Sequence, residues 1–574
     1  MGADQSGGAI VGIRNANLWL GASAGLALLP TTVFIVISSL FVLGLQINTP
    51  LAAAILIAAF FLSLWAAYTV SRQALACVLV VLAVLAAGLF SHALIDTTYD
   101  GQWYHFHGAF ALAQGWNPFW EPLPEAPWET AGADLDSRLW VAHYPQATWR
   151  VAAVQMAAGL GQETAKAANP ILACAMLFGF IGIGLRLTSS AWVVLPITVA
   201  FAANPVIIAQ LPTRYVDGSI AACFALTAMF AFAWIESRKL VFAAAMFAVI
   251  AFALNLKFLT VPVFAMLCAL LTVAVWLRGN RQDAIRFASI ALVAGIAGVL
   301  LFGFEPYVRN TLDFHHPFYP VMGPNHVDVV GGMYPTGFEQ LPEWQKFLFS
   351  IFSQTAVGHQ TPFTLKFPFT VSSGEIQALG APDARLGGFG PLFSASLVCA
   401  LIAAAFNFVL DRGNRKFAIY FGAAAALFVS AVAMPESWWA RYAPQLWWVP
   451  ALIATALLFS SIRSLRVAGI VVVAIMGLNG ALATYTMMRT GLWASRTVTA
   501  ELGRIKQTNV PVMAYVGHSP ARFGLIAETG VGVSAIWTLP ERCVPHTLAH
   551  AMGIGVWRTP SYCSAESSAS SLAP

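Results

Sequence analysis

A chain of 574 residues with 59% hydrophobic and only 10% charged residues cannot cover the surface of a water-soluble fold, because ordinary soluble domains carry about 25% charged residues. With a mean hydropathy of +0.72, the apolar excess is expected to face lipid, and the chain reads as a polytopic membrane protein. The net charge of +5 points to Lys and Arg biased toward one membrane face rather than to nucleic acid, since no polybasic run is long enough to grip a phosphate backbone.

The first segment, MGADQSGGAIVGIRNANLWL, has one Arg ahead of a long apolar run and no small-residue cleavage site at the usual distance. It is expected to be retained as the first span, and Met1-Gly2 with Ser6 is too short a pattern to argue for myristoylation. Runs of about 20 apolar residues cross a bilayer. Thirteen candidates follow in order: 18–46, 51–70, 75–95, 165–186, 190–209, 219–235, 240–254, 258–276, 287–304, 390–410, 417–433, 446–461 and 467–487. With the N-terminus inside, every inner connection holds a cation, from Arg14 and Arg72 through Arg186, Arg238 and Lys239 to Arg278, Arg281, Arg286, Arg412, Arg415, Lys416, Arg463 and Arg466. Keeping Arg278 to Arg286 inside requires 240–254 and 258–276 to be two spans rather than one.

This organisation predicts an all-α polytopic bundle of about thirteen transmembrane helices, with amphipathic helices on its outer face and a small α/β outer domain at the C-terminus. Residues 1–487 form the membrane domain, including outer loops 96–163 and 305–389, and residues 488–574 form the outer domain with a disordered end. In the first loop, Tyr104 to Ala113 and Gln146 to Ala158 are expected to lie in the interface, with Trp116, Trp120, Trp128, Trp140 and Trp149 at headgroup level. In the tail, Val510 to Val516 and Gly530 to Trp537 read as strands between Gly and Pro breaks. Cys77, Cys174, Cys223, Cys268 and Cys399 sit in spans as small apolar residues, whereas Cys543 and Cys563 fall in the tail, where a disulfide is compatible with an oxidising compartment.

Chemistry is expected where polar residues cluster against the apolar trend. Asp96 and Asp100 follow the third span, and Trp103, Tyr104, His105 and His107 come next. A boundary acid is costly unless solvated, paired or used. The same loop carries Arg138, His143 and Tyr144; Arg214 and Asp217 stand at the outer end of the next hairpin, and Lys257 at the tip of the following one.

The order of these motifs resembles the C-type (GT-C) polytopic glycosyltransferases, in the branch related to protein mannosyltransferases and the lipid A aminoarabinose transferase. The resemblance is carried by YDGQWYH (Tyr99 to His105), GWNPF (Gly115 to Phe119), the HYP that contains Tyr144, TRYVD (Thr213 to Asp217), Lys257, EPYVRNTLDFHHPFYP and ARYAPQ (Ala440 to Gln445). His316 stands where the family often has Asn, and extra spans flank the usual core. The resemblance implies an inverting transfer of a sugar from a polyprenyl-phosphate donor to a glycan, lipid or protein acceptor on the outer side of a bacterial cytoplasmic membrane, with the N-terminus cytoplasmic. It matches Asp100 to the general base, with Asp96 as the competing acid.

That chemistry needs one carboxylate for the acceptor proton and cations for the leaving phosphate, already a weak base. Lys257 and Arg441, with Arg138 and Arg214 behind them, are the candidate phosphate binders. Tyr104, His105, His143, Tyr144, Asp217 and Trp103 are the candidate substrate contacts. No cofactor is expected; a divalent metal on His105, His107, His143 and Asp100 is the weaker alternative to hydrogen bonding by these histidines. A transporter or flippase of a lipid-linked sugar is the other reading, although such proteins tend to show internal repeats with interrupted spans, and none is evident here.

Overall fold

The apolar runs fold as helices. The computed structural model describes residues 4–129, 135–188, 190–358, 362–508, 511–516, 518–535, 546–550 and 555–558; Cys543 and Cys563 lie outside the described residues. The helices are, in order, α1 (Asp4–Val42), α2 (Thr49–Ser71), α3 (Ala74–Ala93), α4 (Phe106–Ala113), α5 (Leu135–His143), α6 (Ala147–Ala157), α7 (Ala168–Leu187), α8 (Ala191–Ala202), α9 (Pro205–Gln210), α10 (Asp217–Ser237) and α11 (Leu240–Ala253). They continue with α12 (Thr260–Leu277), α13 (Arg281–Ile296), α14 (Arg309–Phe314), α15 (Glu343–Ile351), α16 (Ser373–Leu379), α17 (Phe393–Leu410), α18 (Arg415–Val432), α19 (Trp448–Leu458), α20 (Arg463–Thr508) and α21 (Pro520–Glu528).

Ten helices among the described residues are long and apolar enough to cross a membrane, and three shorter apolar helices, Ala191–Ala202, Leu240–Ala253 and Pro444–Leu458, fill the remaining expected places. The protein is a multi-pass helical membrane protein. The shortening of the 190–209 run has a local cause: Asn204 Oδ1 accepts the Val206 N–H at 3.1 Å and Pro205 starts a new helix, so α8 ends and α9 begins. The expected break between 240–254 and 258–276 is present. Asn255 stops α11 by donating to the carbonyls of Ala251 at 2.9 Å and Gly298 at 2.8 Å, leaving Lys257 in the turn before α12.

Helix α1 runs through the bundle, and its sequence shows why. Gly21-Ala22-Ser23-Ala24-Gly25 presents small residues four apart, the spacing that lets helix backbones approach in lipid. A Cβ on Gly21 would stand 2.6 Å from the Ala67 carbonyl oxygen of α2, and one on Gly25 2.7 Å from that of Ser63. Because backbone cannot move aside as a side chain does, Gly25→Val is expected to cost about 1–3 kcal/mol or more. A lower melting temperature of the purified protein in detergent is the check.

Two departures from the sequence expectation concern the outer face. In the first loop, a π-helical turn (Gly101–His105) leads into α4, which packs on α6. Trp116, Trp128 and Trp149 are buried in protein packing rather than presented outward, while Trp120 remains exposed. Partners for their ring N–H groups explain part of this: Trp116 donates to the Glu121 carbonyl at 3.1 Å and Trp149 to His105 Nδ1 at 2.7 Å. The last span does not stop near 487 but continues as α20 to Thr508, with no proline to end it. Beyond it lie β1 (Val512–Tyr515), α21, β2 (Val533–Ala535), β3 (His546–Thr547) and β4 (Gly555–Arg558), in sheet order β2-β1-β4-β3. Strand β1 is parallel to β2 and antiparallel to β4. Phe523 of α21 packs edge-on against Trp128, joining this layer to the first loop.

Candidate functional site

Under the first loop lies a cavity of about 1310 Å³ lined by residues from distant parts of the chain, among them Asp100, Tyr104, Asp217, Lys257, Asp383 and Arg441. The turn Gly101–His105 begins at Asp100, which aims this residue into the cavity from the end of the third span. Asp217 is the first residue of α10, Lys257 sits in the α11–α12 turn, and Arg441 is held in a 3-10 turn, Ala440–Tyr442.

Charge is arranged in a chain across this cavity. Lys257 Nζ donates to Asp217 Oδ1 at 2.7 Å. Arg441 Nη1 lies 3.1 Å from Asp383 Oδ1 and 3.7 Å from Asp100 Oδ2. The Arg441 guanidinium is packed among aromatic faces, 4.3 Å from the Trp439 ring centre, 5.3 Å from Tyr215 and 5.4 Å from Tyr442. Its Nε and Nη1 are buried yet make no hydrogen bond. Buried donors of this kind are normally satisfied. An arginine in the cavity wall whose Nε makes no hydrogen bond and whose Nη1 is held only by ion pairs is suited to an anion.

Burial pushes the Asp100 carboxyl up to about 6, against the pull of Arg441. Burial likewise raises Asp383, against Arg441 and Arg385. Burial alone would lower Arg441, but Asp383, Tyr442 and Asp217 outweigh it and hold the guanidinium well above its ordinary value, so it stays charged. The result is a carboxyl poised near neutrality beside a permanent cation, the condition that suits a general base.

The other sequence candidates divide into three groups. Trp103, Tyr104, His105 and Tyr144 line the same cavity. His105 accepts from Trp149 through Nδ1, and burial drives its pKa down to about 3, so it is a neutral ring with its proton on Nε2. Asp96 also touches the cavity wall, but both of its oxygens are committed. Oδ1 accepts from the Thr98 N–H at 3.0 Å and hydroxyl at 2.7 Å, and Oδ2 accepts from the Arg214 N–H at 2.7 Å. Arg214 belongs to the ion cluster behind that wall, donating to Glu163 Oε1 at 3.1 Å, while Lys166 pairs with the other Glu163 oxygen. Arg138 and His143 lie elsewhere, lining a separate cavity with Glu305 and Arg309. Arg138 binds Glu129 at 2.5 Å, and His143 Nδ1 meets Asn310 at 3.0 Å. Among the described residues, no three His, Cys, Asp or Glu side chains converge as a metal-ligand set.

The cluster behind the wall carries a stability prediction. Burial opposes ionisation of Glu163, yet Arg214, Lys166 and the Asp96 N–H outweigh it and hold the carboxyl down at about 2. Its contribution is therefore present above its ordinary value of 4.5 and is lost as pH falls through about 2. Glu163→Gln leaves buried Lys166 without its carboxylate and Arg214 with Asp96 alone, and is expected to cost about 3–5 kcal/mol, measurable as a loss of melting temperature at neutral pH.

Sequence reading missed Asp383, Arg385 and Tyr442. Tyr442 is the residue next to Arg441, and Lys257 Nζ sits 4.2 Å from its ring centre. Asp383 and Arg385 come from a long loop with no local motif, and only the adjacent opposite charges in PDAR hinted at a paired, built feature.

No family model matches the chain, and no curated protein matches it. Among solved structures, the chain is similar to the crystal structure of ArnT from Cupriavidus metallidurans bound to undecaprenyl phosphate, at 13% identity and a TM-score of 0.38, over 80% of this chain and 86% of that one.

Proposed function

We propose that the protein is an inverting glycosyltransferase of the GT-C kind, which moves a sugar from a polyprenyl-phosphate donor to an acceptor on the outer side of a bacterial cytoplasmic membrane, with its N-terminus cytoplasmic. The observation that carries the reading is Asp100, raised to about 6 and 3.7 Å from Arg441 Nη1, a buried cation held there by ion pairs alone.

In the proposed reaction Asp100 takes the proton of the acceptor hydroxyl as that oxygen attacks the anomeric carbon from the face opposite the phosphate. The bond from the anomeric carbon to the phosphate oxygen breaks, and its electron pair leaves with the polyprenyl phosphate. Arg441 and Lys257 balance the charge that gathers on the phosphate, so the proposal assigns no cofactor. Because the leaving group is a weak base, no second carboxyl acting as general acid is required, unlike glycoside hydrolysis. Trp103, Tyr104 and Tyr144 supply faces for a sugar ring, and neutral His105 a hydrogen-bonding edge. Asp217 orients Lys257 through its ion pair.

The pH dependence tests the assignment. Asp100 acts only when ionised, so kcat/KM is expected to rise with pH, reach half its maximum near 6 and stay level above it. A rate that does not change between about pH 5 and 8 would remove Asp100 as the base.

A further inference from the structure

Soluble loops turn apolar side chains inward and charges outward; the stretch LKFPFTV, Leu365 to Val371, does the reverse. Its alternate residues Leu365, Phe367, Phe369 and Val371 are 52%, 71%, 51% and 41% exposed. Between them Lys366 turns inward with a side chain only 4% exposed. Its ammonium donates to Glu375 Oε1 at 2.5 Å and to the Pro391 carbonyl at 2.7 Å. Glu375 is fixed in turn by a capping box with Ser372 at the start of α16, and the Lys366 N–H donates to the Phe352 carbonyl at 2.9 Å. An apolar ridge is thus pinned from behind by buried polar contacts.

The position of this ridge says what covers it. Pro391 stands two residues before α17, so the Lys366 contact sets the back of the ridge beside the end of a membrane-spanning helix. Further along the same helix, Leu401, Ile402 and Phe406 are exposed, as expected of a helix that meets lipid. An exposed apolar patch marks an interaction surface, and this one is anchored beside the end of a helix long and apolar enough to cross a membrane.

We propose that Leu365, Phe367, Phe369 and Val371 form a wedge inserted among the phospholipid acyl chains of the leaflet on the cavity side. The wedge is tied to the cavity through backbone pairing. Leu365 bridges Ser353, and Ala356 bridges Leu386, next to Arg385 and close to Asp383. Lipid contact therefore sets the height of the Asp383 loop against the membrane. This inference does not depend on the transferase reading, because its readout is a lipid adduct rather than turnover.

The test replaces Phe367 by the photoreactive p-benzoylphenylalanine in the full chain, reconstituted in phosphatidylethanolamine–phosphatidylglycerol vesicles with labelled acyl chains. Phe406 serves as the lipid-facing reference and the exposed Glu339 as the water-facing one. The wedge predicts acyl-chain adducts at Phe367 in a yield comparable to Phe406 and about tenfold above Glu339. The same replacement at Phe369 gives an independent reading if the first variant misfolds. A yield no higher than at Glu339, or adducts to a second copy of the chain instead of lipid, would overturn the proposal.

Discussion

Asp100→Asn is expected to reduce transfer by about 10²–10⁴-fold, or about 3–5 kcal/mol of barrier, the usual worth of a positioned general base. Asparagine keeps the shape of the side chain but cannot take a proton. Arg441 would retain Asp383 at 3.1 Å, so the fall should appear in kcat with little change in donor KM or melting temperature. Asp96→Asn is the informative contrast. Its two oxygens accept from the Thr98 N–H and hydroxyl and from the backbone N–H and guanidinium of Arg214, holding the loop and Arg214 in place, so its loss should show first as a lower melting temperature. Initial rates with purified variants, set beside thermal unfolding in the same detergent, separate the two. Equal transfer by wild type and Asp100→Asn would remove the general-base assignment.

Arg441→Gln should be the second largest loss. Charge-stabilising donors of this kind are worth about 10²–10³-fold in kcat, and donor KM should rise as well because the ground-state phosphate also uses them. A second signature distinguishes this from a folding defect. Arg441 pulls the Asp100 carboxyl down against burial, so its removal should move the rising limb of the pH profile to a higher pH. Arg441→Lys should restore the limb more fully than the rate, since lysine returns the charge but not the planar fork that packs among Trp439, Tyr215 and Tyr442. A normal pH profile in Arg441→Gln would show that the Arg441 and Asp100 charges are not coupled.

The membrane bundle was legible in the sequence because hydropathy registers length and apolar content, which decide whether a helix can cross lipid. Even the α11–α12 break followed from charge bookkeeping, with Lys257 and Asn255 as its visible polar interruption. The end of α20 was not legible: hydropathy fades after Tyr485, but helix propensity does not, and the helix continues to Thr508. The packing of tryptophans was also not legible, since Trp116, Trp128 and Trp149 have the composition of interface anchors but are buried in contacts that composition does not encode.

At the site, Asp100, Lys257, Asp217 and Arg441 could be singled out because charge is scarce at span ends, and the fold gathers them around one cavity. Separating Asp100 from Asp96 needed the partners, although Thr98 two residues after Asp96 is the spacing of an Asx turn and was a readable sign of a structural acid. Arg138 and His143 shared the loop and polarity of the site residues but face another cavity, because α5 presents them on its other side. Asp383 was out of reach, as its loop is brought to the site by long-range contacts: Ala356 pairs with Leu386, and Gln210 donates to the Pro382 carbonyl.

The central claim is that this cavity holds a lipid phosphate between Arg441 and Lys257, facing Asp100. A cryo-electron-microscopy map of the purified protein with polyprenyl monophosphate tests it most directly. The account predicts phosphate density within hydrogen-bonding distance of Arg441 Nη1 and Lys257 Nζ, with the prenyl chain leaving the cavity toward lipid. Phosphate density bound elsewhere, with Arg441 still paired only to Asp383 and Asp100, would contradict it.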